Sequence, residues 1–176
     1  IINNQINQIG NLVNEFSDFA RMPKPIFKEN NLIQIINDNI KLLSDIDKRI
    51  KIILQNSADE ILFKSDKEQL SRVFLNLIKN SIESIKEKIS KNPDFTKKID
   101  IEIVDKNDYI AIILIDNGTG FSEKNLNNIL KPYFTTKSKG SGLGLSIVNK
   151  IINDHNGNIE FISKEDGAVI KINLTK

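Results

Sequence analysis

The amino-acid sequence predicts a mixed α/β fold preceded by one amphipathic helix. Three observations carry that expectation. Apolar residues at Ile2, Ile6, Ile9, Val13, Phe16 and Ala20 step by four and three, the seam of a bundle helix, and Pro23 and Pro25 then end the pattern. Beyond the prolines, short apolar or alternating runs rich in Ile and Val are interleaved with helical stretches. One run, YIAIILID at 109–116, is almost wholly apolar, as a central strand would be.

Taken in order, residues 1–22 read as a helix whose stripe Leu12 and Phe19 widen. A coiled-coil seam and an ordinary amphipathic helix both fit it. Residues 31–45 read as a helix with Leu32, Ile35, Ile36, Ile40 and Leu43 on one side. RIKIILQN and EILFKSD read as a strand pair around Asn56, Ser57 and Ala58. A long helix follows, opened by Asp66 with Gln69 three residues on, the spacing of a capping box. KIDIEIVD and YIAIILID are strands, and residues 117–142 form a long irregular stretch of the kind that serves as a lid or binding loop. A helix from Leu143 to about Asn153 and the strands NIEFIS and AVIKINL close the chain.

Composition narrows the function classes. The 176 residues suffice for one cored domain with an appendage. A net charge of +2 gives no case for nucleic-acid binding, and the absence of Cys removes disulfide and thiolate chemistry. No apolar run approaches the ~18 residues that cross a bilayer, and no signal-peptide pattern opens the chain. The chain starts at Ile1 and its single Met is Met22, inside a helical pattern, so it reads as part of a longer protein with any anchor or sensor outside it.

Three polar constellations stand out. Asn76 and Asn80 lie one turn apart on the long helix, either as a solvated face or as amide oxygens for a hard cation such as Mg²⁺. IDNGTGF, with Asp116, Gly118, Gly120 and Phe121, ends the central strand. It is either a tight turn or a carboxylate set in a pocket whose glycines admit a flat ligand. KPYFTTKSKGSGLGLSIVNK places Gly140, Gly142 and Gly144 ahead of a helix N-terminus, where backbone N–H groups and the helix dipole suit phosphate, and Lys137 and Lys139 add charge. The segment is neither a P-loop, lacking the Gly-Lys-Ser/Thr ending, nor a Rossmann fingerprint, lacking a strand just before the glycines.

Read in order, Asn-x-x-x-Asn, Asp-x-Gly-x-Gly-Phe, Phe-Thr-Thr-Lys and Gly-x-Gly-Leu-Gly-Leu resemble the N, G1, F and G2 boxes of the histidine-kinase ATP-binding domain, relative of the gyrase, Hsp90 and MutL ATPases. The resemblance covers roughly residues 26–176. HNGNIEFISKEDGAVIKINL is similar to the family's ending, with Asn156 in place of the first Gly of its His-Gly-Gly turn. NEFSDFARMPKP is similar to the second helix of the dimerisation and phosphotransfer domain, most like the NtrY-type nitrogen-regulation sensor kinases.

The resemblance implies a two-layer α/β sandwich of the Bergerat type, a mixed sheet with helices on one face. Residues 1–24 would be a partial phosphotransfer domain and 25–176 the catalytic domain. It implies ATP and Mg²⁺: Asn80 as metal ligand, Asn76 supporting the phosphates, and Asp116 accepting the adenine amino hydrogen with Gly118 and Gly120 admitting the base. Phe134, Thr135, Thr136 and Lys137 would form the lid, with Lys137 near the γ-phosphate. Gly140, Gly142, Leu143 and Gly144 would cradle the phosphates. Related clamp ATPases carry a Glu where this chain has Asn76, an amide that cannot act as a base, so fast hydrolysis is disfavoured. Glu83, one turn beyond Asn80, reads either as a further residue facing the site or, the favoured reading, as a solvated helix carboxylate, and His155, the only His, reads as a structural residue rather than the phosphoacceptor, which the family carries upstream. The implied partners are a response regulator and a second copy through the N-terminal bundle, with no nucleic acid. The implied location is the cytoplasmic face of the bacterial inner membrane. The competing readings are a clamp ATPase of the Hsp90 or MutL class, a serine or threonine kinase of the anti-sigma-factor type, and a nucleotide-sensing module without catalysis.

Overall fold

The structure, a computed structural model, describes residues 10, 13, 16, 17, 20–91, 94–137 and 140–176. Of the expected N-terminal helix, Gly10, Val13, Phe16, Ser17 and Ala20 are helical, and Arg21 N–H donates to Ser17 O at 2.9 Å. Ile2, Ile6, Ile9, Leu12 and Phe19 lie outside the described residues. The seam residues Val13 and Phe16 are 56% and 48% exposed.

The elements that follow are β1 (Lys28–Asn31), α1 (Leu32–Ser44), β2 (Lys51–Asn56), β3 (Leu62–Ser65), α2 (Lys67–Lys91), β4 (Lys98–Asp105) and β5 (Tyr109–Asp116). A 3-10 turn at Glu123–Asn125 interrupts the long loop, and α3 (Gly144–Asp154), β6 (Gly157–Lys164) and β7 (Gly167–Thr175) complete the chain. The five-stranded sheet has the order β2-β4-β5-β7-β6, parallel between β2 and β4 and antiparallel elsewhere, so the expected mixed sheet is present with β5 at its centre.

Alternation makes one face of that sheet apolar. Ile101, Leu114, Ile170 and Phe161 form one cross-strand row through β4, β5, β7 and β6. These strands share one buried cluster with Leu70, Phe74, Leu77, Ile78 and Ile85 of α2, Ile36 of α1 and Ile147, Val148 and Ile151 of α3. Full burial of such a side chain contributes about 1.5–3 kcal/mol, so the helix layer is held by its apolar stripes. The other face carries the exposed Glu102 and Lys171. This is the two-layer sandwich with helices on one face.

Two local expectations are corrected. RIKIILQN and EILFKSD do not pair with each other: β2 pairs with β4, and β3 pairs antiparallel with β1 in a separate two-stranded sheet. Apolar pattern fixes that a segment is a strand but not its neighbour. After β2 the chain stays with the large sheet, Ser57 N–H donating to Ile103 O at 3.1 Å, before crossing to the small one. The polar strand β1, KENN, has no apolar signature of its own.

The capping box at the start of α2 is half made. Asp66 Oδ1 accepts Gln69 N–H at 3.0 Å, but Gln69 Nε2 donates to Pro23 O at 3.0 Å instead of its side chain returning to Asp66. The Asp66 N–H is taken by His155 Nε2 at 3.0 Å. Because Asp66 N can only donate and Ile151 O can only accept, His155 is the neutral tautomer with its proton on Nδ1, 2.8 Å from Ile151 O. It is buried, with Phe27 packed edge-on to its ring at 5.1 Å. The structural reading of His155 holds.

Candidate functional site

A cavity of about 940 Å³ opens between α2, the end of β5, the start of α3 and the loop joining β5 to α3. Each wall follows from the fold. The core face of α2 turns its opposite edge, with Asn76 and Asn80, into the cavity. The central strand delivers Asp116 at its last residue, and the irregular chain that follows closes the mouth with Phe134, Thr135, Thr136 and Lys137.

Asp116 is the most deeply set charged group of the site, 4% exposed. Ser81 Oγ donates to its Oδ2 at 2.8 Å and Gly118 N–H to its Oδ1 at 3.0 Å. Burial pushes its carboxyl above the usual carboxylate range, against the opposing pull of those two hydrogen bonds and of Lys88 and Lys137. A carboxylate so placed keeps free lone pairs toward the cavity and can accept a hydrogen from a ligand amino group.

The loop after Asp116 is stitched to α2. Ser84 Oγ accepts Thr119 N–H at 2.9 Å, and Lys88 Nζ donates to Asn117 O at 3.1 Å. Gly118 does not line the cavity, because its Cα rests on Ser84, where a Cβ would overlap the serine hydroxyl. At Gly118 the missing side chain lets the loop pack against Ser84 of α2. Gly120 does line the cavity.

At the opposite wall, α3 begins at Gly144 with no side-chain cap on its first turn, and Gly144 and Leu145 border the cavity. The positive end of a helix therefore meets the site. A Cβ on Gly144 would sit 3.0 Å from Asn76 Oδ1, so glycine lets α3 approach α2 there. Asn76 holds its own orientation by donating to Arg72 O at 2.9 Å. Gly142 lines the wall in the left-handed region, φ 72°, against the Tyr133 backbone. Leu143 is 1% exposed and its side chain packs in the core. Gly140 borders the cavity, but its N–H is spent on Lys137 O at 3.2 Å, so the cradle is not open at that residue.

Lys137 reaches across from the loop. Its Nζ lies 2.6 Å from Glu83 Oε2 and 3.4 Å from Asn80 Oδ1. Of the two readings of Glu83, the one in which it faces the site fits the structure: it borders the cavity and holds a lysine. Lys139 lies outside the described residues. Tyr133, at φ 68°, stacks on Phe16 of the N-terminal helical segment with ring centroids 6.4 Å apart.

Sequence reasoning missed Ser81, Ser84 and Lys88. Ser84 and Lys88 continue the series Asn76, Asn80 at helical steps of four, a signal that was available. Ser81 had none, because its meaning depends on Asp116 arriving from another element.

Comparisons with known proteins bear on the family and the fold. A sequence profile described as "Histidine kinase-, DNA gyrase B-, and HSP90-like ATPase" matches residues 65–176. A protein of Rickettsia felis named as an NtrY-like sensor histidine kinase is 35% identical over 167 residues, covering 94% of this chain and 27% of the relative. The chain thus spans about a quarter of the length of such curated relatives. The nucleotide-free catalytic domain of the histidine kinase ThkA matches with a TM-score of 0.75 at 28% identity, covering 86% of this chain and 96% of that one. ThkA in complex with the response regulator TrrA matches with a TM-score of 0.79 at 25% identity, covering 100% of this chain and 49% of that one.

Proposed function

The chain belongs to the histidine kinase-, DNA gyrase B- and HSP90-like ATPase family, and from that premise we propose that it is the ATP-binding catalytic part of a sensor histidine kinase. The observation that carries the reading is Asp116, a buried carboxylate at the end of the central strand, facing across one cavity to a helix N-terminus. The adenine amino group would donate to Asp116, and the phosphates would lie toward Gly142, Gly144 and the first turn of α3. Lys137 on the lid would reach the γ-phosphate.

Mg²⁺ fits the donor set. Among the described residues no group of three or more His, Cys, Asp or Glu side chains converges. Mg²⁺ commonly takes one or two protein oxygens and completes its shell with phosphates and water. Asn80 Oδ1 would be the protein ligand, and the Lys137 ammonium already stands 3.4 Å from it as a cation would. The metal would neutralise charge on the phosphates.

In the reaction a histidine nitrogen attacks the γ-phosphorus, the bond to the bridging oxygen breaks, and ADP leaves; the phosphoryl group then passes to a response-regulator aspartate. This transfer needs positioning and charge neutralisation more than a base. Asn76, an amide, would not activate water. His155 has both ring nitrogens engaged inside the fold, so the acceptor histidine is supplied from elsewhere. We assign residues 1–24 to a phosphotransfer bundle that dimerises, supported by the exposure of Val13 and Phe16, and 25–176 to catalysis. The solved relative ThkA binds the response regulator TrrA, which supports a response regulator as partner here. Among the described residues no helix is long and apolar enough to cross a membrane, so the anchoring in the inner membrane that the family suggests would fall to other segments.

Titration with ATP, with and without Mg²⁺, alongside a phosphate-release assay, tests the reading. Mg²⁺-dependent binding with negligible hydrolysis is expected, as is labelling of a phosphotransfer helix added in trans. Rapid hydrolysis would refute the kinase assignment, and absence of binding would refute the nucleotide site.

A further inference from the structure

Two oxygens on α2 converge on one lid cation. Asn80 and Glu83 are three residues apart, neighbours on the helix surface. Their Oδ1 and Oε2 lie 3.4 and 2.6 Å from Lys137 Nζ. An ammonium has donors only and takes the oxygens a hard divalent cation takes, a carbonyl and a carboxylate. Two cations cannot share that space, because like charges a few ångströms apart repel strongly where water is partly excluded.

We propose that Asn80 Oδ1 and Glu83 Oε2 form a two-oxygen cation seat, occupied in turn by the Lys137 ammonium and by the divalent cation of the incoming nucleotide. Glu83 is then the residue that couples metal arrival to release of the lid lysine. The inference rests on the nucleotide-binding reading above and goes beyond it, since it gives Glu83 a positioning role and makes the lid self-latching.

Two further observations support it. The backbone of the lysine is fixed within the lid, Lys137 N–H donating to Thr135 Oγ1 at 3.1 Å. The residue that carries the ammonium is thus tied at its backbone to Thr135, another residue of the lid. The latch is also weak enough to open, because the side chains of Lys137 and Glu83 are 39% and 42% exposed and solvent screens the pair.

The experiment compares ATP affinity by calorimetry in EDTA and in excess Mg²⁺, for the unaltered chain and for Glu83→Gln, which keeps the shape and removes the charge. The variant frees Lys137 for the phosphates, so metal-free ATP should bind roughly two- to fivefold tighter, the range of an exposed ion pair. The gain from adding Mg²⁺ should shrink by at least as much. In a Lys137→Ala background the effect of Glu83→Gln on metal-free binding should vanish, which a merely structural role for Glu83 would not produce. An unchanged ratio of Mg²⁺-loaded to metal-free affinity overturns the proposal while leaving the nucleotide site intact. Absence of ATP binding by the unaltered chain removes the nucleotide reading itself, and the proposal with it.

Discussion

Asp116→Asn separates the two things Asp116 does, holding a loop and recognising a ligand. In the fold the carboxylate accepts Ser81 Oγ at 2.8 Å and Gly118 N–H at 3.0 Å. The new amide can keep its oxygen on Gly118 N–H and donate to Ser81 Oγ, since a hydroxyl turns to accept. The loop should survive. Because burial raises the carboxyl above its ordinary value, Asp116 favours folding while protonated, and that stability is lost as pH rises through the raised value. The variant lacks this loss, so its ligand-free melting temperature at neutral pH should be no lower than that of the unaltered chain, with its relative advantage growing as pH rises from the ordinary carboxyl value to the raised one and constant above it. Recognition should fail. A hydrogen bond to a charged acceptor is worth about 1.5–3 kcal/mol, and two donors left facing each other cost about 1–3 kcal/mol more. The combined loss of roughly 2.5–6 kcal/mol corresponds to about a hundred- to ten-thousandfold in ATP affinity, measurable by calorimetry. An unchanged affinity in a variant that melts normally would refute the assignment of adenine to Asp116.

Three further outcomes are expected. Ser81→Ala removes a hydrogen bond that lowers the Asp116 pKa, and Lys88 and Lys137 are the charged groups that remain to oppose burial. ATP binding should then fall off at a higher pH as the solution is acidified, seen in affinity measured across pH. Gly142→Ala forces a side chain into the left-handed region at φ 72°, a strain of about 1–2 kcal/mol, and onto the Tyr133 backbone. It should weaken nucleotide binding more than it lowers the global melting temperature. His155→Ala leaves the Asp66 N–H without its acceptor, at a cost of about 1–3 kcal/mol. At roughly 2–4 °C per kcal/mol for a chain of this size, differential scanning calorimetry should show a fall of several degrees.

Sequence pattern makes this fold legible wherever one element's own periodicity decides its environment. The period-2 alternation of β4 and the apolar run of β5 place both in the sheet without knowledge of neighbours. The 3.6-residue stripe of α2 and the prolines at 23 and 25 do the same for helix and boundary. Legibility stops where the partner decides. β1 is a strand because β3 lies beside it, and β2 and β3 part company because the chain after Asn56 follows β4. Gln69 has the spacing of a capping box, but His155, 89 positions from Asp66, takes the N–H that the box requires.

The same limit explains the site, and α2 shows how. Its polar edge carries two adjacent rows at steps of three and four. Asn76, Asn80 and Glu83 face α3 and the lid lysine, through the close approach of Gly144 to Asn76 and the contacts of Lys137 with Asn80 and Glu83. Ser81, Ser84 and Lys88 face the loop after β5, through Asp116, Thr119 and the Asn117 carbonyl. The asparagine row is read from the sequence because its motif partners are themselves distinctive; in the serine row Ser84 and Lys88 show only helical spacing, and what they face is decided when β5 brings its loop alongside. Since Leu77, Ile78 and Ile85, which neighbour the serine row on the helix surface, are fully buried, the helix cannot rotate to adjust one row without the other. The proposed adenine end and phosphate end of the cavity therefore share a single rigid ruler, and a substitution that shifts α2 in its bed should disturb both together.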